Sequence, residues 1–146
     1  MPATGDRGLS PAAPVVIVPW VTHAAKHGAP GIPIHSVHVD RDNKRFATAA
    51  ASKLVRIWDI AALGPGPGGV QDTPEEAGCN HLLASLDVGS NTCDVARFAN
   101  TADMLAVGDG DGTLHIFQRR DGTAAVEFGC KRQPDRENWQ LLWRAG

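Results

Sequence analysis

The chain has 146 residues, enough for one domain at most, with 42% hydrophobic and 21% charged residues, an ordinary globular composition. A formal charge of −2 at neutral pH gives no global attraction to nucleic acid or to an anionic membrane, which argues against non-specific DNA binding. No apolar run approaches the roughly 18–20 residues of a membrane span, and no basic stretch leads into an apolar signal core.

In chain order, Met1 to Pro14 is rich in Pro, Ala and Gly and reads as a disordered leader (1–14). Val15 to Val21 (VVIVPWV) is a short apolar run that fits an edge strand, because Pro19 excludes a central sheet position. A loop carrying His23 and His27 leads to a strand at Ile34 to Val39, with Ser36 and His38 on one face and His35, Val37 and Val39 on the other. After the polar turn Asp40 to Asn43 come strands near Arg45 to Ala50 and Leu54 to Asp59. Val55 and Ile57 face one layer there, Arg56 and Trp58 the other. Residues 61–80 form a loop dominated by Gly, Pro and acids, read as a solvated insertion. Strands then follow at His81 to Asp87, Thr92 to Phe98, Asp103 to Val107, Thr113 to Gln118 and Asn138 to Arg144. Gly108 to Gly112 supplies a hairpin turn between two of them. No long amphipathic helix is found, so antiparallel β is the class that fits.

Two of these hairpins are copies. KRFATAAASKLVRIWDI (Lys44 to Ile60) overlies DMLAVGDGDGTLHIFQR (Asp103 to Arg119) at a constant offset of 59 residues: Ala47 on Ala106, Val55 on Leu114, Ile57 on Ile116, Trp58 on Phe117. Trp58-Asp59 closing a strand–turn–strand unit is the mark of a WD-repeat blade. Removing most of 61–80 brings the period to about 42, within the ~40–45 of such blades. The predicted architecture is an all-β, partial WD-repeat propeller over 15–146: about two four-stranded antiparallel blades, not closed. Blade one covers about 33–87 and blade two about 92–144.

In well-formed blades a Trp indole, a Ser/Thr hydroxyl, a His and an Asp make a buried hydrogen-bond chain. Blade one offers Trp58, Thr48 and either His23 or His27, with Ser52 where the Asp belongs. Blade two keeps only Asp111, while Phe117, Val107 and Gly89 occupy the other positions, so it is expected to be apolar there, with Asp111 as a turn residue. A broken network otherwise leaves unsatisfied groups at about 1–3 kcal/mol each. Propellers usually close with 4–8 blades, so two alone would expose flat faces. The chain is therefore expected to be marginal in isolation and to be the start of a longer propeller, a partial gene product or a remnant.

The order of features resembles the N-terminal part of the HIR/HIRA family of histone regulators. The resemblance runs from VVIVPWVTH, where Pro19-Trp20-x-x-His23 precedes the first blade, through both hairpins to AVEFGCKRQPDRENWQLLWRAG. There Glu137-Asn138-Trp139 precedes an outer strand, a segment that ordinary WD blades lack. The middle WD subunit of chromatin assembly factor shares Glu-Asn-Trp and is the alternative, beside a generic WD-repeat interaction module. The resemblance implies a nuclear, non-enzymatic scaffold of a histone chaperone complex, active in replication-independent nucleosome assembly and chromatin-linked transcription regulation. Its partners would be other chaperone-complex subunits and, indirectly, histones, with no membrane or small-molecule substrate.

No chemistry-bearing constellation competes with that reading. His35 and His38 fall on opposite strand faces and cannot share a metal. Asp109 and Asp111 lack the third acid, the later Gly and the bidentate Glu of a calcium loop, and the glycines at 108, 110 and 112 open no helix that could cradle phosphate. Cys79, Cys93 and Cys130 are widely spaced without zinc or CxxC spacing. They read as reduced thiols of an intracellular protein, with Cys93 a buried strand residue. Trp58, Trp139 and Trp143 are expected to anchor packing, and Arg119-Arg120 and Lys131-Arg132 to be exposed loop charges. Catalytic, metal and cofactor residues are therefore expected to be none.

Overall fold

The computed structural model describes residues 21, 23, 31–60, 81–89, 92–123 and 137–146. The leader, the apolar run before Val21, the 61–80 insertion, His27, Cys79, Cys130 and Lys131-Arg132 lie outside the described residues. Val21 itself is not in a strand.

The described residues form eight strands: β1 (Ile34–Val39), β2 (Arg45–Ala50), β3 (Leu54–Asp59), β4 (Leu82–Asp87), β5 (Cys93–Phe98), β6 (Met104–Asp109), β7 (Leu114–Thr123) and β8 (Glu137–Ala145). They form two antiparallel four-stranded meanders, β1-β2-β3-β4 and β5-β6-β7-β8. The expectation of an all-β fold with two unclosed four-stranded blades is borne out.

The 59-residue repeat is visible in the backbone. A bulge between Ile34 and Ser36 recurs between Cys93 and Val95, each on the first strand of its sheet. Asn43 takes φ +56° in the β1–β2 turn and Ala102 takes φ +62° in the β5–β6 turn. In both turns the N–H of that residue donates to the carbonyl three residues earlier, Asp40 in one and Ala99 in the other. Left-handed backbone suits Asn and is unusual for Ala, so the turn geometry persists where its best residue has gone.

Alternation decides what each sheet buries. Ala47, Ala49, Val55, Ile57, Ala84 and Leu86 of the first sheet pack on Ala96, Phe98, Leu105, Val107, Phe117 and Trp139 of the second. The alanines on β2 leave room for the facing sheet. Each fully buried Val, Leu, Ile or Phe contributes about 1.5–3 kcal/mol. On the opposite face of the first sheet, Phe46, Trp58 and Leu82 form a smaller cluster with Val21 and Ile60.

The inner edges of the sheets also meet. The N–H of Phe98 donates to His38 Nδ1 at 2.9 Å and Arg97 Nη1 donates to Ser36 Oγ at 3.1 Å. The His38 ring stacks on Phe98. Side chains of β1 thus satisfy donors of β5 where no ladder strand does so.

Three expectations need correction. The sixth strand runs on through Gly108 and Asp109, so the hairpin turn begins at Gly110 and uses Gly112 at φ +87°. The seventh continues to Thr123, so Arg119 and Arg120 are strand residues, not loop charges. They are held there because β8 pairs Trp139 with Arg119 and Asn138 with Arg120. Arg119 also binds Asp103 through both backbone and side chain. Trp143 is no packing anchor: it is 48% exposed, because it sits opposite Ile116 on the face of the second sheet turned away from the first.

Candidate functional site

The first sheet holds a buried polar chain. Trp58 Nε1–H donates to Thr48 Oγ1 at 3.0 Å, and Thr48 Oγ1 lies 2.7 Å from His23 Nε2. His23 Nδ1 lies 3.3 Å from Ser52 Oγ. Ser52 gives its own proton to the Leu54 carbonyl, so toward His23 it acts as acceptor. That places the imidazole proton on Nδ1 and leaves Nε2 to receive the Thr48 hydroxyl. A neutral His23 satisfies every member. Burial, then the positive charge of Arg56, pushes His23 down to about 4. The structure brings His23 to Thr48, and the other candidate, His27, lies outside the described residues. Ser52, one atom shorter in reach than an Asp, closes the chain without adding a buried charge.

Blade two has no counterpart to this chain at the same positions. Phe117 and Val107 are buried and apolar, and Asp111 is exposed at the turn. A different polar group is buried instead. Asp109 Oδ2 receives His115 Nε2–H at 2.7 Å, and Arg144 Nε–H donates to His115 Nδ1 at 3.1 Å. The Arg144 donor finds its lone pair on Nδ1, and the N–H that Asp109 receives is on Nε2. The other Asp109 oxygen accepts the N–H groups of Asp111 and Thr113, both at 2.9 Å, which ties the hairpin turn to the strand end. The His115 hydrogen bond first, then the N–H of Thr113, hold the Asp109 carboxyl at about 2. Reading Asp109 as a turn residue hid it. Its parity with Val107 and His115 was the available signal, whereas Arg144 lies opposite His115 only through the β7–β8 register.

The Glu137-Asn138-Trp139 segment lies at the joint between the sheets. Arg45, at the start of β2, donates Nη1 to Asp40 Oδ2 at 2.9 Å and Nε to Glu137 Oε1 at 3.0 Å. Its Nη2 donates to the other Glu137 oxygen. Glu137 is the first residue of β8, in the other sheet. Trp139 Nε1–H donates to the same Glu137 Oε1 at 3.1 Å while its ring packs at a tilt on Phe98. Burial works against the Arg45 charge, but the hydrogen bonds and charges of Glu137 and Asp40 outweigh it and raise the guanidinium above its usual value. Asn138 stays at the edge, receiving a bond from Gln140. Asp59, the Asp of the Trp-Asp signature, sits half-buried opposite Arg45 in the β2–β3 ladder.

These groups hold strands together. His23 and His115 are each 2% exposed, with both ring nitrogens engaged by neighbours. Burial, then the charges of Asp109, Asp94 and Asp87, pushes the Cys93 thiol up to about 12, away from the thiolate a nucleophile needs. Among the described residues no group of three His, Cys, Asp or Glu side chains is placed to hold a metal ion.

No protein-family profile matches the chain. Curated relatives do. It is 28% identical to Protein HIRA of Oryza sativa subsp. japonica over 123 residues, 84% of this chain and 11% of that protein. It is 29% identical to Protein HIRA of Zea mays over 127 residues, 86% and 12%. With Protein HIR1 of Aspergillus oryzae the identity is 29% over 128 residues, 86% and 11%. The chain thus spans about a tenth of the length of the curated relatives it matches. Among solved structures it is similar to Saccharomyces cerevisiae Sqt1, with a TM-score of 0.52 at 11% identity over 78% of this chain and 23% of that one, a likeness of fold alone. With its repeated four-stranded units, the chain is therefore a WD-repeat β-protein whose curated homologues are HIRA and HIR1.

Proposed function

We propose that the chain serves as a non-enzymatic WD-repeat scaffold within a histone chaperone assembly of the nucleus. It acts in replication-independent nucleosome assembly and chromatin-linked transcription regulation through protein–protein contact. The observation that carries the reading is the similarity to HIRA and HIR1 across about five-sixths of the chain. The buried polar groups described above are consistent with it, since His23, Asp109 and Glu137 each bond to side chains of neighbouring elements. Contact would fall on the exposed apolar side chains of the second sheet, among them Val95, Leu114, Leu141 and Trp143. Its partners would be other subunits of the complex, with histones reached through them.

Affinity capture of the tagged full chain from nuclear extract tests this. Recovery of histones together with a chaperone subunit is expected, and Trp143→Glu should reduce it. Recovery of a partner set without histones, unchanged by Trp143→Glu, would refute the assignment.

A further inference from the structure

We propose that Asp40 and Arg45 form a carboxylate receptor on the first sheet and that Glu137 of the second sheet is its built-in ligand, a charge-selected latch between the sheets. The proposal stands independently of the function proposed above.

The geometry carries it in three steps. Asp40 sits fully buried in the β1–β2 turn. Its Oδ1 accepts the N–H groups of Lys44 and Arg45, and its Oδ2 accepts Arg45 Nη1. All of these partners lie within six residues of chain, so the first sheet by itself fixes the guanidinium. What remains is the fork of Nε and Nη2, a pair of parallel donors whose complement is a planar carboxylate. Glu137 fills it with both oxygens from 92 residues away in sequence. Its Oε1 also accepts the Trp139 indole N–H, so occupancy of the receptor and burial of Trp139 against Phe98 go together.

Nothing in hydrophobic packing selects this arrangement. The sheets bury apolar side chains against one another, and directional bonds that join them elsewhere run from β5 to His38 and Ser36 of β1, not to β8. At β8 the directional link is the bidentate ion pair, with an Arg side chain only 8% exposed. The pair fixes where β8 starts, opposite Thr123 at the end of β7. Glu137 is in this reading a positioning residue.

The test is chemical rescue in the full chain, read by the NMR signal of the Trp139 indole N–H and by amide exchange over 137–140. Glu137→Ala should shift the indole signal and speed exchange by about tenfold or more, the equivalent of one charge-assisted hydrogen bond. Added propionate should move both readouts back toward wild type in Glu137→Ala, but not in Arg45→Met/Glu137→Ala. Two results would overturn the latch: no response to Glu137→Ala, or a propionate effect that is absent or survives the loss of Arg45. Should Glu137→Ala not fold, the shape-matched Glu137→Gln carries the test. Faster exchange at 137–140 is then expected, and wild-type exchange overturns the proposal.

Discussion

Replacing Thr48 by Val keeps the shape of the side chain and removes one oxygen. That oxygen receives the Trp58 indole N–H at 3.0 Å and faces His23 Nε2 at 2.7 Å, and Thr48 itself is fully buried. Val strips the hydroxyl from both partners in a place water does not reach. Each buried group so deprived costs about 1–3 kcal/mol, so Thr48→Val should destabilise by about 2–6 kcal/mol. Thr48→Ser is the control: it keeps the oxygen and loses one methyl, at about 1 kcal/mol. Urea unfolding followed by tryptophan fluorescence gives both values, with the slope checked for constancy. The order wild type, Ser, Val is expected. If the Val variant equals or exceeds the Ser variant in stability, the hydroxyl is not what holds Trp58 and His23, and the chain Trp58–Thr48–His23–Ser52 carries no net stabilisation.

Other outcomes follow from the same geometry. His23 is held near 4 in the folded state against about 6.5 when unfolded, so the unfolded chain binds the extra proton between those values. Its stabilising contribution is full above about 6.5 and is lost as pH falls toward 4, on the order of 3 kcal/mol. Urea midpoints across pH 4 to 7 should show this slope in wild type and lose it in His23→Gln. Cys93, with its thiol near 12 and its side chain buried, should be alkylated only as fast as the fold opens. Peptide-mapped labelling at pH 8 checks it, and prompt modification would refute the burial argument. Gly112→Ala meets no atom within 4 Å but must hold φ +87°, so it should cost about 1 kcal/mol by backbone strain alone. A thermal melt unchanged from wild type would show that the β6–β7 turn can adopt another geometry.

Local pattern determined much of this protein. The resemblance to WD blades named Trp58, Thr48 and Ser52 as neighbours, but alternation in RFATAA and LVRIWD, the polar turns between strands and the 59-residue copy were enough to place the described strands to within a few residues. Those features depend on period-two sidedness and turn chemistry, which act over a few residues and can be read from them. His23 or His27 could not be decided that way, because a loop residue has no periodicity to orient it. Three things belonged to the tertiary structure. Glu137 marked a family resemblance in the sequence, yet its bond to Arg45 spans 92 residues and the joint between two sheets. Arg144 reaches His115 only because the β7–β8 ladder has the register it has. Trp139 is buried while Trp143, four residues on in the same strand, is exposed, since the irregularity between Ile116 and Phe117 in the β7–β8 ladder turns Trp143 to the face away from the first sheet. Sequence spacing carries the sidedness of a strand, but which strand lies opposite it, and at what offset, is set by packing that no window of residues contains.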